Sequence, residues 1–545
     1  MASRDGRGGD AILRCMSDTP NSDRAVRTRF APSPTGFMHI GGMRTALFTW
    51  LFARANDGQF ILRIDDTDAS RNDDAALQPI LDAFAWMGLD WDEGPVVGGP
   101  KNAYFQSQRR ELYDNRLRQL IESGAAYHDF ETPEEVAAQR KAAEKSKTNY
   151  ISSRVSIGLS ADELKAKLDA GDRHVIRLLI PRGTTVTISD AVRGDVSWSA
   201  DEMPDPVLAR GDGSPLYNFA SVCDDVAMEI SHVIRAEEHL SNAAIQALLF
   251  DALGAERPVF AHIPFVAAPG GSKKLSKREK DLAKYRTSPG FKKLFDIGDH
   301  VLPLIGVEPG PTMNPVMVAF YREVGFLPDA VFNALARLGW SQDDSTEIMS
   351  REFVVQNFSL DRVVKASAGL DPDKLLSFQE HWVGELDDEL KLDRCCEYLD
   401  RAGWPYEREF VRRLLNVLGE RIKLLSDILN YDEYFVVDET MTFDEKAFKK
   451  RIGKPEGAKS LLASFWMSVS AANAEGSAAH DFHAASLEAA MKTFCEANDI
   501  GLGQIIHAVR VAVTGKPAGP GLFEAMELLG RDRCGRRIDR ALAKS

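Results

Sequence analysis

The chain has 545 residues, 44 % of them hydrophobic and 27 % charged, with a formal net charge of -14. That length suits about three to five domains of an ordinary globular protein, and no uncharged apolar run is long enough to span a membrane. The six cysteines, Cys15, Cys223, Cys395, Cys396, Cys495 and Cys534, are too scattered for a disulfide framework or a zinc spacing, so a reducing cytoplasm fits. The acidic balance lowers the prior for a nucleic-acid partner without excluding one, because phosphate contacts need only a local basic surface.

Residues 1–23 mix Gly, Asp, Arg and Ser with no apolar period and read as a disordered tail. A transit peptide would avoid acids such as Asp5, Asp10, Asp18 and Asp23, and translation could also start at Met16. Order begins with a strand pattern at Arg27-Thr-Arg-Phe-Ala31, after which Pro32 and Pro34 force an extended loop. Gly41 and Gly42 precede an amphipathic helix predicted over Met43 to Asn56, and Phe60 to Ile64 alternates as a second strand that runs into Asp65-Asp-Thr-Asp68. Strand, loop, helix, strand opens an α/β nucleotide-binding domain.

Residues 111–150 read as polar helix. Strand patterns follow at His174–Ile180 and Val186–Ile188, then buried-strand character at Tyr217–Asp225 and Val233–Glu237. The Pro- and Gly-rich stretch 286–317 reads as an inserted loop, and nearly everything from about 318 on as helix. Residues 469–484, rich in Ala, Ser and His, read as a linker.

Two motifs carry chemistry. In Pro32-Ser33-Pro34-Thr35-Gly36-Phe-Met-His39-Ile40-Gly41-Gly42, a loop delivers His and Gly to a helix start, where unpaired backbone N–H groups and a partial positive charge favour phosphate. Taken singly, it is a core histidine beside a turn. In Lys273-Lys274-Leu275-Ser276-Lys277-Arg278, preceded by Pro269-Gly-Gly-Ser, lysines on a glycine loop suit charge spreading over phosphate oxygens. Taken singly, that is a solvated basic loop.

Together the pair resembles the H-I-G-H and K-M-S-K-S signatures of class I aminoacyl-tRNA synthetases, standing here as H-I-G-G and K-L-S-K-R. Thr28–Gly36, Arg63–Asp68, Leu216–Ala220, Val233–Glu238, Val511–Gly515 and Gly519–Glu524 narrow the resemblance to bacterial-type glutamyl-tRNA synthetases, over about residues 25 to 545. The resemblance implies a Rossmann-type parallel-sheet catalytic domain (24–110 and 218–255) and an inserted α+β acceptor-end domain (111–217). It also implies a lysine-loop and stem-contact region (256–383) with an insertion near 286–317, then an all-α anticodon-binding region (384–545).

It implies ATP, carried with Mg²⁺, as cofactor, with ATP or catalytic roles for His39, Gly41, Gly42, Lys274, Ser276 and Lys277. For L-glutamate it implies Arg29, Ala31, Ser33, Asp65, Tyr217 and Arg235, since arginine forks bind carboxylates in bidentate fashion. Arg235 with Tyr217 is assigned to the side-chain carboxylate, and Ser33 with Asp65 to the ammonium. Asp65 departs from the family's usual Glu and reaches one methylene less far. Some relatives carry a zinc-binding cysteine cluster near a phrase like Tyr127–Pro133. None stands here, so no structural zinc is expected, and His128 reads as a solvated helix-end residue.

The expected partner is tRNA(Glu), possibly with tRNA(Gln), for a monomeric, cytoplasmic enzyme. Basic stretches at Arg412–Arg413, Arg421 with Lys423, Lys446–Lys459 and Arg531–Arg540 support RNA contact by the tail. The insertion near 286–317 has two readings, contact with the inner corner of the tRNA or a lineage-specific decoration. The rivals are a glutaminyl-tRNA synthetase, a non-discriminating glutamyl enzyme, a short tRNA-base-modifying relative, a small-molecule nucleotidyltransferase and a silent RNA-binding relative. The helical tail and the intact His39, Lys274, Lys277, Arg29 and Arg235 weigh against the last three.

Overall fold

Thr28 and Phe30 give the first ordered segment its strand character, and Pro32 ends it by removing a ladder donor. In the computed structural model this strand is β1 (Arg27–Phe30), and the residues described are 24–34, 37–67, 77–101, 103–268, 270–271, 273–470 and 481–544. The expected tail at 1–23, Thr35, Gly36, Asp68 and most of the expected linker at 469–484 lie outside them.

The chain divides into two units. The first comprises residues up to Phe291 with Pro315–Phe320 and Pro328–Lys374; the second comprises Lys292–Asn314, Tyr321–Leu327 and Leu375–Ser545.

The first unit is built on a four-stranded parallel sheet in the order β2-β1-β8-β9, with β2 Gln59–Leu62, β8 His232–Ala236 and β9 Val259–Ile263. The long excursion between β2 and β8 carries two antiparallel sheets. One orders β3 (Ala126–Asp129), β4 (Val175–Leu178) and β7 (Val207–Arg210) as β3-β4-β7, and the other pairs β5 (Thr185–Asp190) with β6 (Gly194–Ser199). After β9, the short β10 (Val266–Ala267) pairs in parallel with β11 (Ala368–Gly369).

Several elements differ from the sequence reading. The helix after β1 runs Ile40–Ala55 and is buried on nearly every side, from Met43 through Leu51, rather than amphipathic. Its burial is continuous, Arg44, Thr45 and Thr49 included, because β1, β2, β8, β10 and the helices Pro328–Ala336 and Arg351–Asn357 all pack on it. Residues 111–150 are two helices, Arg110–Glu122 and Pro133–Lys145, separated by β3. The second starts with a Thr132/Glu135 capping box and Pro133 in its first turn. His128 therefore sits in a strand, half-buried and edge-on to His174, not at a helix end.

Tyr217–Ala227 is a helix, not a strand. A short apolar run fits either period, and here Phe219, Ala220, Val222 and Cys223 pack inward at helical spacing. Within 286–317, Pro289–Leu304 is a helix rather than a loop, its prolines standing in the first turn and near the end, where they cost least.

The second unit is helical, with Asp388–Ala402, Arg408–Leu418, Ala458–Ser470, Ala484–Ala497, Leu502–Thr514 and Leu522–Ala543 as its main helices and no strand after β11 among the described residues. Its basic run at 531–540 turns partly inward. Asp438 accepts from Arg533, Arg536 and Arg537, and Arg537 is fully buried. These arginines hold the unit together and are not all available to phosphate.

Among the described residues no helix is long and apolar enough to cross a membrane. The described cysteines, Cys223, Cys395, Cys396, Cys495 and Cys534, are free and buried.

Arg44 locks the helix Ile40–Ala55 in place. It is 1 % exposed and donates to the Leu338 carbonyl from Nε (2.9 Å) and Nη2 (2.6 Å) and to the Pro264 carbonyl from Nη1 (2.6 Å). Burial pushes its guanidinium down to about 9, so it stays charged at neutral pH. Arg44→Met should lower stability by about 2–3 kcal/mol, since two buried carbonyls lose their donors. Denaturant unfolding checks this, and an unshifted midpoint contradicts it.

Candidate active site

The chain leaves β1 toward β2 on one side and returns to β8 on the other. The strand order therefore reverses at β1, and an α/β sheet leaves a crevice outside the carboxyl ends of its strands at that point. A pocket opens there, lined by Arg29, Ala31, His39, Gly41, Gly42, Asp65, Tyr217, Arg235, Glu238, His239, Lys274 and Leu275 among others. The histidine segment and the basic loop, far apart in sequence, thus reach one cavity, with two arginines in its wall.

His39 caps the helix Ile40–Ala55. Its Nδ1 accepts from the Gly42 N–H at 3.0 Å. That bond leaves the ring proton on Nε2, the nitrogen available to donate to a ligand. Burial, with help from the charges of Lys274 and Lys277, pushes the imidazole down to about 4, so it is neutral at pH 7. A Cβ on Gly41 would stand 3.2 Å from the His39 ring, and one on Gly42 3.1 Å from the Met38 sulfur. The two glycines give the folded-back ring its room.

The basic loop turns back antiparallel on β10, with the Leu275 N–H donating to the Val266 carbonyl at 2.8 Å. Leu275 is buried beneath the turn and anchors it. Lys274 projects into the pocket and pairs with Glu238. Ser276 lies outside the pocket lining and accepts from the Arg278 N–H at 3.2 Å. Lys277 is exposed and outside the lining, though its charge is felt at His39. Ser33 is also exposed, between Pro32 and Pro34, and the structure does not bring it to the pocket wall.

Beneath the pocket lies a buried cluster of charge. Arg63, fully buried, donates to Asp65 (2.8 Å), Asp225 (2.7 Å) and the Ser221 hydroxyl (3.3 Å). Arg29 meets Asp225 through Nε (3.1 Å) and Nη2 (3.3 Å), while Asp224 takes Arg109 (2.6 Å), Gln106 (2.8 Å) and the Tyr113 hydroxyl (3.0 Å). Three arginines balance three aspartates, the condition under which buried charge is tolerable.

Burial raises Asp225, but Arg29 and Arg63 outweigh it and hold the group below the usual carboxylate range. Among the described residues only Arg63 donates to the Asp65 oxygens, and burial raises the carboxyl to about 6. Two of its four lone-pair directions go to Arg63, leaving two for a ligand donor.

Arg235 differs from Arg29. It is 6 % exposed, its Nε donates to His262 Nε2 at 3.0 Å and its Nη2 to the His239 carbonyl at 3.3 Å. Among the described residues its Nη1 is buried with no partner in hydrogen-bond geometry, although the Tyr217 hydroxyl lies close enough to the guanidinium to favour its charged form. Burial lowers the guanidinium to about 10, leaving it charged at neutral pH. Tyr217, the first residue of its helix, stands at the same wall.

Sequence reasoning missed Glu238, His239, His262, Asp225 and Asp190. A usable signal existed for two of them. His262 is the one polar residue in the apolar strand Val259–Ile263, and Asp225 adjoins a second acid, Asp224, in an apolar helix. Among the described residues no group of three or more His, Cys, Asp and Glu is arranged to hold a metal ion.

The chain matches the family model for class I tRNA synthetases (E and Q), catalytic domain, over residues 25–292 and 313–377, and that for an anticodon binding domain over 391–542. The gap at 293–312 falls within the stretch of unusual length. Glutamate–tRNA ligase 1 of Syntrophomonas wolfei is 38 % identical over 519 residues, covering 95 % of this chain and 96 % of that protein. Glutamate–tRNA ligase of Moorella thermoacetica is 39 % identical over 525 residues, covering 95 % and 98 %. The crystal structure of a glutamate–tRNA ligase from Elizabethkingia meningosepticum in complex with its amino acid superposes with a TM-score of 0.81 at 33 % identity, covering 96 % of this chain and 100 % of that one. With a matching catalytic model over most of its first unit and full-length relatives at these identities, the chain belongs to the glutamate–tRNA ligase family of class I tRNA synthetases.

Proposed function

We propose that the pocket activates L-glutamate with ATP and transfers it to the 3′ end of tRNA(Glu). The observation that carries this reading is the buried Nη1 of Arg235, without a geometric hydrogen-bond partner among the described residues, in the same pocket wall as His39, Lys274 and Tyr217. A cation left unpaired away from water is costly unless a ligand completes it, and a glutamate side chain is the matching anion.

Each residue then takes a task. The helix start at Ile40, with Gly41 and Gly42 admitting the nucleotide closely, faces the phosphates, and His39 donates to them from Nε2. Lys274 exchanges Glu238 for phosphate oxygens, and Lys277 meets the departing pyrophosphate from the loop. Magnesium comes with ATP, carried mainly on phosphate oxygens and water.

Arg235 and Tyr217 receive the side-chain carboxylate, Arg29 the α-carboxylate region, and Asp65 the ammonium. Ser33 joins Asp65 only if its loop closes over bound substrate. An oxygen of the α-carboxylate attacks the α-phosphorus and pyrophosphate leaves. A terminal ribose hydroxyl of the tRNA then attacks the adenylate carbonyl and AMP leaves. Neither step needs a protein nucleophile, so catalysis is positioning and charge stabilisation.

The excursion carrying β3 to β7 is read as the acceptor-end domain and the helical second unit as the anticodon reader. A monomer follows the family resemblance, and a cytoplasmic setting suits a partner engaged in translation. Charging assays with glutamate and glutamine on tRNA(Glu) and tRNA(Gln) test the reading. Glutamate on tRNA(Glu) is the expected product, glutamate on both tRNAs would mark a non-discriminating enzyme, and preference for glutamine would overturn it.

Lys277→Ala should cut the rate of adenylate formation, measured with tRNA present, by about 10²-fold or more while tRNA affinity stays near that of the parent. Equal losses in both would remove Lys277 from the phosphate site. Arg235→Gln should lower kcat/KM for glutamate by about 10²-fold or more, since the amide cannot supply a charged fork. Unchanged kinetics would take Arg235 out of the pocket.

Asp65 must be ionised to hold an ammonium, and its carboxyl sits at about 6. kcat/KM for glutamate should therefore fall as pH drops through about 6, while KM for ATP holds. A profile flat down to about pH 5 would contradict the role of Asp65.

A further inference from the structure

Behind the pocket wall, Arg235 on β8 and His262 on β9 are direct partners in the parallel register, so their side chains share one face of the sheet. We infer that His262, held by Asp190, is a positioning residue that sets Arg235 as a receptor for an anionic side chain and keeps its charge uncancelled. The inference rests on the reading of Arg235 given under Proposed function.

The hydrogen bonds fix every proton. The Arg235 Nε–H can only donate, so His262 Nε2, 3.0 Å away, accepts and carries no proton. The ring proton is then on Nδ1, which donates to Asp190 Oδ2 at 2.5 Å. Asp190 is fixed in turn by backbone N–H groups, Val192 (3.0 Å) and Arg193 (2.8 Å) donating to its Oδ1 and His262 (3.1 Å) to its Oδ2. His262 is fully buried, so no water competes for its ring nitrogens. The series Asp190, His262, Arg235 is a hydrogen-bonded row of three planar groups, and it ends at the Nη1 that has no geometric partner among the described residues.

The identity of the acceptor matters. Arg29 and Arg63 are held by aspartates, which fix them and also cancel their charge. Arg235 is held by a neutral imidazole and a backbone carbonyl, which fix it without a carboxylate in direct contact, the Asp225 charge acting on it only at a distance. A fork met by a carboxylate would have little left to tell an acid from its amide. A fork met by a histidine retains the full preference for the acid, because an amide would leave a buried cation uncompensated.

The test compares His262→Leu with His262→Gln in steady-state aminoacylation. Glutamine can accept from Arg235 through Oε1 and donate to Asp190 through Nε2, so it rebuilds both bonds. His262→Leu should raise KM for glutamate about 10-fold or more and leave KM for ATP within about 2-fold, and His262→Gln should recover most of the loss. The leucine variant should also lower the ratio of kcat/KM for glutamate over glutamine.

Equal movement of both KM values with no recovery by glutamine would reduce His262 to a packing role and overturn the inference, as would an unmoved KM for glutamate. If the leucine variant does not fold, nitrogen NMR of labelled histidine in the unaltered chain decides, with His262→Gln assigning the signal. A neutral ring protonated on Nδ1 at pH 7 supports the inference, and an imidazolium or an Nε2–H tautomer overturns it. Charging of tRNA(Glu) by the unaltered chain is measured first. Its absence strikes the proposed function, whereas normal charging with an unmoved glutamate KM in the variant strikes only the inference.

Discussion

Thr28 on β1 lies beside His232 on β8 in a parallel pair, and the site depends on that pairing. It sets Arg29 and Arg235 at neighbouring strand ends and opens the crevice between them, because the sheet reverses its order at β1. The same pairing orders the surroundings. The helix Ile40–Ala55 packs on β1, β2 and β8 at once, which fixes its amino end, and hence His39, against the mouth of the crevice. β10 continues from β9 and gives the basic loop a strand to fold back on. One sheet thus supplies the position of the phosphate donors and of the carboxylate receptors together.

The sheet alone would not keep two buried arginines in the pocket wall, since each isolated buried charge is costly. Two different devices meet that cost. Arg29 belongs to the cluster centred on Arg63, where Asp65, Asp224 and Asp225 offset three guanidinium groups. Arg235 stands outside that balance, carried by an imidazole and a carbonyl. The neutral state of His39 fits the same pattern, for burial and the charges of Lys274 and Lys277 disfavour an imidazolium there. Of these pocket cations, Arg235 meets no carboxylate directly, whereas Arg29 pairs with Asp225 and Lys274 with Glu238.

Much of this was legible in the sequence. The strand, loop, helix, strand opening follows from local pattern, while the parallel core and the convergence of His39 with Lys274, far apart in the chain, come from the family resemblance that the paired motifs carry. The failures are of another kind. Tyr217–Ala227 was read as strand because a short apolar run satisfies both periods, and only its packing decides. Pro289–Leu304 was read as loop because composition counts prolines without asking where in a helix they stand. Arg531–Arg540 was read as RNA-facing, yet Asp438, nearly a hundred residues earlier by chain order, draws several of its side chains inward. Asp225 and His262 stand out in the sequence only as polar residues in apolar elements, and their roles were missed for the same reason. Their partners, Arg29 with Arg63 and Arg235 with Asp190, are brought to them only by the tertiary fold.

The central claim is that one crevice receives a triphosphate at the helix start and an acidic side chain at Arg235. A crystal structure of the chain with glutamate and a non-hydrolysable ATP analogue measures it most directly. The account expects the glutamate side-chain carboxylate within hydrogen-bond distance of Arg235 Nη1 and a phosphate oxygen within the same distance of His39 Nε2. Glutamate bound with its side chain turned away from Arg235, or the nucleotide seated elsewhere, would contradict it.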